Sequence, residues 1–374
     1  MATTSTQFPD DFRCPISLDI MSDPVILSSG HTFDRSSIQR WIDSGHRTCP
    51  ITKLPISDPV SLIPNHALRS LISNYTLVSF PKPLSYPDPQ SLIRTLIASS
   101  SSPLDSKLNS LDQLSKLSKR DSAVRRKLTE SGAISAVLNC VNSDDDTGGS
   151  RLQEKSLHLL LNLSLDDDNK VGLVAEGVLG KVVAALRRGA GDSRAVAATV
   201  LTSLAVVEVN KATIGAYPDA ILGLISLLWS GNCRERKEAA TALYTLCSFP
   251  DNRVRAVENR AVPILIQNAN LGLERAVEVL GLLAKCKEGR QEMIKFGGLL
   301  DVLIKFLKNG SSRAVQYALL TISLLCSYSE RIRVLVVREG VFEICVGLLE
   351  DDNEKVRRNA NSLILVLQGK RLSL

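Results

Sequence analysis

A small residue followed by apolar or small residues three, four and seven positions later recurs along this chain at nearly constant intervals. It occurs as Ser156/Leu159/Leu160/Leu163, Ala197/Val200/Leu201/Leu204 and Ala239/Ala242/Leu243/Leu246. It continues as Ala276/Val279/Leu280/Leu283, Ala318/Thr321/Ile322/Leu325 and Ala360/Leu363/Ile364/Leu367. Successive copies start 41, 42, 37, 42 and 42 residues apart. That spacing within each copy is one face of an α-helix. A weaker copy at Ser110/Gln113/Leu114/Leu117 precedes them, and an insertion over residues 142–150 accounts for the longer step between the two. Upstream of most copies lies a second apolar helix opened by glycine, at Gly132, Gly177, Gly297 and Gly340. No single unit has enough apolar surface to fold alone, so the units must stack, each stripe buried by its neighbours. The chain therefore reads as mostly α, with a helical solenoid over residues 103–374.

A period near 40, with two longer helices and a short one, resembles armadillo repeats; HEAT repeats are the near rival. The third helix of each unit is expected to line the concave face. Positions two and six beyond each small residue point away from the stripe, and they become apolar toward the C-terminus. On this basis Asn162, Leu282, Leu320 and Leu324 are the candidate residues of a protein-docking groove. The ladder of repeated Trp and Asn residues that nuclear-import armadillo proteins present to basic peptides is missing, since Trp229 is the only solenoid tryptophan. Nuclear cargo transport is not expected.

Composition agrees with a helical core. Aromatics are 4% of the residues, so Leu, Val, Ile and Ala must build it. Lys and Arg number 45 against 39 Asp and Glu, and the excess is spread beyond residue 80 without a dense basic block. No nucleic-acid partner is expected. No run of about 18 uninterrupted apolar residues occurs, so no membrane span is expected. The eight cysteines form no C-x-x-C pair, and most lie in apolar helical runs. With no secretory pattern at the N-terminus, the expected setting is intracellular, cytoplasmic with the nucleus open.

Residues 8–80 have a different grammar: short, rich in proline, with expected helices over residues 35–44 and 66–78 and short β-like runs at 25–27 and 60–62. Within it, Cys14, Ser17, Ser29, His31, Asp34, Ser37, Cys49 and Thr52 have the spacing of a cross-braced two-zinc RING domain. One site would take Cys14, Ser17, Asp34 and Ser37, and the other Ser29, His31, Cys49 and Thr52. Structural zinc wants four Cys or His ligands. Neither set supplies them, so no metal and no cofactor are expected. Small polar side chains at these positions can instead bind one another and backbone N–H groups, fixing the loops. A proline-rich stretch, residues 81–102, would link this segment to the solenoid.

Several runs are similar to a U-box: Phe12-Arg-Cys-Pro-Ile-Ser-Leu-Asp-Ile-Met-Ser-Asp-Pro-Val, Gly30-His-Thr-Phe-Asp-Arg-Ser-Ser-Ile-Gln-Arg-Trp, Thr48-Cys-Pro-Ile-Thr and Leu62-Ile-Pro-Asn-His-Ala-Leu-Arg-Ser-Leu-Ile. A U-box followed by armadillo repeats resembles the plant U-box ubiquitin-ligase family. The resemblance implies an E3 ubiquitin ligase that binds a ubiquitin-charged E2 and holds the thioester ready for attack. A lysine of a protein substrate, carried by the solenoid, would then take the ubiquitin directly, without a covalent E3 intermediate. The family's E2-facing patch falls on Ile16, Leu18, Trp41 and Pro50. The position that contacts both E2 and ubiquitin falls on Lys53, where strong ligases carry Arg; Lys donates without Arg's two-pronged geometry. The alternative is a non-catalytic scaffold with a weak or inactive U-box. The resemblance leaves U-box dimerisation open. Cys14 and Cys49 read as structural thiols, and Val25, Phe33, Ile38, Leu68 and Leu71 as core.

Overall fold

The computed structural model describes residues 9–56, 60–79, 89–97, 103–130, 132–141 and 148–369. The chain divides into two compact units, residues 1–87 and 88–374.

The first unit is a small sheet and two helices. Strands β1 (Pro24–Ile26), β2 (Thr32–Asp34) and β3 (Ile63–Pro64) pair antiparallel in the order β2-β1-β3, with Val25 opposite Phe33 on one side and Pro64 on the other. Helix α1 (Arg35–Asp43) leaves β2 directly, and α2 (His66–Ser79) follows β3. Phe12, Cys14, Met21, Val25, Leu27, Phe33, Ile38, Ile42, Cys49 and Ile72 form its core. Two expectations shift. The third strand lies at residues 63–64 instead of 60–62. On α2 it is Ile72 that is buried, while Leu71 is 57% exposed and Leu68 half-buried. With only one face of α2 against the sheet, neighbouring residues cannot both point inward.

The second unit is helical throughout: α3 (Pro89–Ile97), α4 (Leu104–Arg120), then six triplets. These are α5 (Ser122–Glu130), α6 (Ala133–Val141) and α7 (Gly148–Leu163); α8 (Asp167–Ala175), α9 (Val178–Arg188) and α10 (Ser193–Leu204); and α11 (Glu208–Ala216), α12 (Ala220–Ser230) and α13 (Cys233–Cys247). They continue as α14 (Pro250–Glu258), α15 (Ala261–Asn270) and α16 (Glu274–Leu283); α17 (Lys287–Met293), α18 (Leu299–Asn309) and α19 (Ser312–Tyr328); and α20 (Glu330–Arg338), α21 (Val341–Gly347) and α22 (Glu354–Leu367).

The six sequence stripes lie on α7, α10, α13, α16, α19 and α22, and every member except half-buried Leu367 is buried. Successive third helices pack side by side from α4 through α22, making one continuous core. The first helical layer begins earlier than the repeat pattern shows. Residues 89–97, expected within the linker, form α3, whose Leu92, Ile93 and Leu96 join the solenoid core against α4 and α6. The rest of that stretch, residues 81–88 and 98–102, and the core of the insertion, residues 142–147, lie outside the described residues.

Five of the six turns into a second helix pass through a left-handed residue where the chain reverses sharply; the turn into α18 does not, its Gly298 lying at φ −79°. Gly132, Gly177 and Gly340 fill that place at φ 71°, 82° and 69°, and the same conformation is held without glycine by Asp219 (φ 62°) and Arg260 (φ 60°). Between the triplets, buried asparagines act as staples. Asn210 Nδ2 donates to Leu204 O (3.0 Å) and Lys170 O (3.1 Å), and Asn252 Nδ2 to Leu246 O (3.0 Å) and Lys211 O (2.8 Å). Each therefore satisfies a carbonyl at the end of its own preceding third helix and one in the previous repeat.

Candidate functional site

The first unit is organised around two loops that copy each other. Cys14-Pro-Ile-Ser-Leu and Cys49-Pro-Ile-Thr-Lys share a Cys-Pro-Ile-Ser/Thr core. In each, the fifth residue returns its N–H to the cysteine carbonyl: Leu18 to Cys14 at 2.8 Å and Lys53 to Cys49 at 2.9 Å. The cysteine N–H then bonds the sixth residue, Asp19 or Leu54, both at 2.8 Å. The fifth residue is left-handed in both, Leu18 at φ 63° and Lys53 at φ 59°. This internal repeat was present in the sequence as the twice-written Cys-Pro-Ile. It also marks Ile51, 45% exposed, as the counterpart of Ile16 and a member of the surface that motif matching alone passed over.

Both thiols are fully buried. Cys14 Sγ accepts from the Asp34 N–H (3.3 Å) and Cys49 Sγ from the Ser29 hydroxyl (3.1 Å). Burial by itself would push the Cys49 thiol up. The Ser29 and Thr52 hydroxyls and the N–H groups of Thr52 and Ile51 outweigh it and bring the pKa down to about 7. Cys14 is treated alike: burial raises it, but bonds from Ser17, Asp34 and Ile16 outweigh burial and lower it. Each sulfur thus sits in a cluster of donors that favours the thiolate, where a zinc ion would otherwise favour it. His31 Nδ1 lies 3.2 Å from Ser29 O, and Ser37 is buried on α1. Among the described residues no group of three or more His, Cys, Asp or Glu could hold a metal ion.

Asp34 does something different from its cross-brace neighbours. One carboxylate oxygen accepts from Ser22 N (2.7 Å), Ser22 Oγ (3.1 Å) and Asp23 N (3.1 Å), and the other from Ser36 N (3.2 Å) and Ser36 Oγ (2.9 Å). It caps α1 and ties that helix to the loop before β1. Burial would raise its pKa; the donors from Asp23, Ser22 and Ser36 outweigh that and hold it below the usual carboxylate range.

Trp41, on α1, is half-buried, and its Nε1–H donates to Thr48 O (2.9 Å), fixing the ring against the second loop. His46 stacks on the ring at 3.9 Å between centroids. Lys53 Nζ donates to Pro50 O (2.9 Å) and sits 5.9 Å from the indole centre. Trp41, Pro50 and Lys53 are therefore brought together into one apolar platform with a cationic edge. Half-buried Ile16 and Leu18, 68% exposed, stand on the other loop.

Of the four candidate groove residues, Leu282 is withdrawn into the core and the other three are half-buried. Leu282 is 5% exposed and belongs to the core, and Leu324 packs against it half-buried. Leu320 is half-buried. The physical reason is lateral packing: a residue pointing off its own stripe meets the next third helix, as α16 meets α19. Asn162 is likewise engaged, its Nδ2 donating to Ser115 O (3.0 Å) and Ser118 Oγ (3.3 Å) on α4.

The chain matches the family model for the U-box domain over residues 8–78 and that for the plant U-box protein ARM repeat region over residues 90–371. It belongs to the plant U-box family that carries an armadillo-repeat region. It is 60% identical to U-box domain-containing protein 8 of Arabidopsis thaliana over 369 residues, 96% of this chain and 97% of that one. It is 29% identical to the E3 ubiquitin-protein ligase PUB23 of the same plant, over 96% of this chain and 92% of that one. A crystal structure of an engineered protein shares the solenoid fold, with a TM-score of 0.66 at 20% identity, covering 76% of this chain and 69% of that one.

Proposed function

We propose that this chain is an E3 ubiquitin ligase whose U-box docks a ubiquitin-charged E2 and whose armadillo repeats carry the protein substrate. Transfer goes directly from E2 to a substrate lysine. The observation that carries the reading is the braced surface of the two Cys-Pro-Ile loops: Trp41, Pro50, Ile16 and Leu18 face solvent in part, while the loops beneath are fixed by buried thiols. A partly exposed Trp backed by rigid loops is a suitable interface anchor. An E2 held there reacts by proximity and orientation, which calls for a rigid platform and no nucleophile on the E3.

The thiols support the direct route. Cys14 and Cys49 have no exposed surface, so neither sulfur can reach the thioester of a docked E2 without unfolding its loop. Lys53 supplies the cation nearest the platform. Its bond to Pro50 O keeps it at the rim, and its role is to contact E2 and ubiquitin together. The setting is a reducing intracellular one, in keeping with eight free thiols.

The test is ATP- and E1-dependent ubiquitin-chain formation with a panel of E2 enzymes. Ile16→Ala and Leu18→Ala, both outside the buried core, should abolish it with the fold intact, and Cys49→Ser should not. A thiol-sensitive E3–ubiquitin adduct, or full activity in Ile16→Ala/Leu18→Ala, would sink the mechanism. Folded wild type inactive with every E2 would favour the scaffold reading, with Lys53→Arg as the variant that should then restore activity.

A further inference from the structure

The polar cleft between α4 and α7 lies at the opposite end of the third-helix layer from the leucines that the sequence pattern favoured. Asp112, Ser115, Lys116 and Lys119 on α4 face Arg151, Glu154, Lys155, His158 and Asn162 on α7 across about 550 Å³. Both sets follow the helical spacing, so each is one continuous face.

Its charge is unbalanced. Lys155 pairs with Asp112, and His158 Nε2 lies 4.0 Å from Glu154. Lys116, Lys119 and Arg151 are exposed; with Lys155 they set four cations against the two carboxylates Asp112 and Glu154, and none of the three forms an ion pair among the described residues. Further along the same layer the charges are spent internally. Glu278 holds Arg275 at 2.5 Å and Arg313 at 2.6 Å, both guanidiniums lie 5.0 Å from the Tyr244 ring, and the Tyr244 and Tyr317 hydroxyls meet at 2.6 Å. Gly281 leaves the space that Tyr317 crosses, since a Cβ there would stand 2.6 Å from its ring. The solenoid thus closes its own polar groups around α16 and leaves cations unspent at α4–α7.

We infer that this cleft is a docking site for an acidic, extended peptide segment of a partner protein, and that it selects the client of the ligase. The inference rests on the reading of the repeats as the substrate-carrying half. The face from Arg151 to Asn162 runs roughly 16 Å at about 1.5 Å per residue, room for about five residues of extended chain at roughly 3.3 Å each. Two or three carboxylates on such a segment meet Lys116, Lys119 and Arg151 along the cleft. The cleft presents no Phe, Tyr or Trp for base stacking and carries two carboxylates of its own, which disfavours a nucleic acid.

The test is fluorescence anisotropy of the full-length protein with a labelled peptide of alternating Glu and Ser, against the same peptide with Gln for Glu. The Glu peptide should bind saturably, weaken as salt shortens the screening length from about 10 Å toward 3 Å, and the Gln peptide should not bind. Lys116→Glu/Lys119→Glu should weaken binding at least about tenfold, and Lys116→Arg/Lys119→Arg should retain it. Equal binding of both peptides, unchanged binding in the Glu variant, or stronger competition by a single-stranded oligonucleotide overturns the inference. Ubiquitin-chain formation measured on the same preparations separates the two readings. An active ligase that ignores the Glu peptide removes the docking site alone; an inactive chain that binds it as described keeps the site and removes the ligase.

Discussion

Replacing Asp34 by Asn changes one atom in a U-box of about 70 residues and is expected to remove most of its stability. Both carboxylate oxygens face only donors: Ser22 N, Ser22 Oγ and Asp23 N on one side, Ser36 N and Ser36 Oγ on the other. An amide must turn its NH₂ toward one of these groups. Facing the loop, it strands two backbone N–H groups. Facing the helix, it strands one, because the Ser36 hydroxyl can rotate and accept. The second arrangement wins and loses the α1 cap, about 1 kcal/mol. The three loop bonds survive but lose their charge, dropping from about 1.5–3 to about 0.5–1.5 kcal/mol each. The total is about 4–5 kcal/mol, against the roughly 3–5 kcal/mol that a single small core without metal supplies.

The assay uses Trp229→Phe, which leaves Trp41 as the sole tryptophan and a reporter of this unit. Urea unfolding at pH 7.5 should shift by that amount in Asp34→Asn, and ubiquitin transfer should survive only in the cold. The gap should narrow at acid pH. The Asp34 pKa is lower in the folded state, so its stabilisation is present above the ordinary carboxylate value of 3.8 and is lost as pH falls through the folded one. A shift under about 0.5 kcal/mol, within the range of ordinary surface substitutions, would refute the donor-only reading of this site.

Cys49 has the same sign in a higher pH window. With a folded pKa of about 7 against 9.0 unfolded, its contribution is complete above pH 9 and lost as pH falls through 7. The Trp41-reported stability should rise by up to about 2–3 kcal/mol between those limits, and Cys49→Ser should flatten that rise by circular comparison at pH 6.5 and 9. In the solenoid, Asn252→Ala leaves Lys211 O and Leu246 O buried without Nδ2 and should cost about 2–4 kcal/mol in chemical unfolding; no measurable loss would mean that these carbonyls find water. Gly215→Ala should act on the same staple, since its Cβ would fall 1.8 Å from Asn252 Oδ1. Arg260→Gly should stabilise by about 0.5–1 kcal/mol, the left-handed strain relieved less the entropy of glycine, and a fall in melting temperature would count against strain at φ 60°.

The amino-acid sequence by itself determined the architecture. A 3-4-7 stripe repeated near every 42 residues has one physical solution, a stack of helices, and the buried stripes on α7 to α22 are that solution. It also displayed the cross-brace spacing, because a loop fixed by two anchors requires those anchors at set distances along the chain. The asparagine staples were legible too, in Val209-Asn210-Lys211 and Asp251-Asn252-Arg253, though not from apolar periodicity, which ignores polar residues. What only the tertiary structure decided was which off-stripe residues are free. Leu282 and Leu324 point away from their own helix face and into the neighbouring helix, while among the described residues Lys116, Lys119 and Arg151 form no ion pair across the cleft. Periodicity describes one helix at a time. Exposure and charge balance are properties of pairs of helices far apart in the chain, and no local pattern carries them.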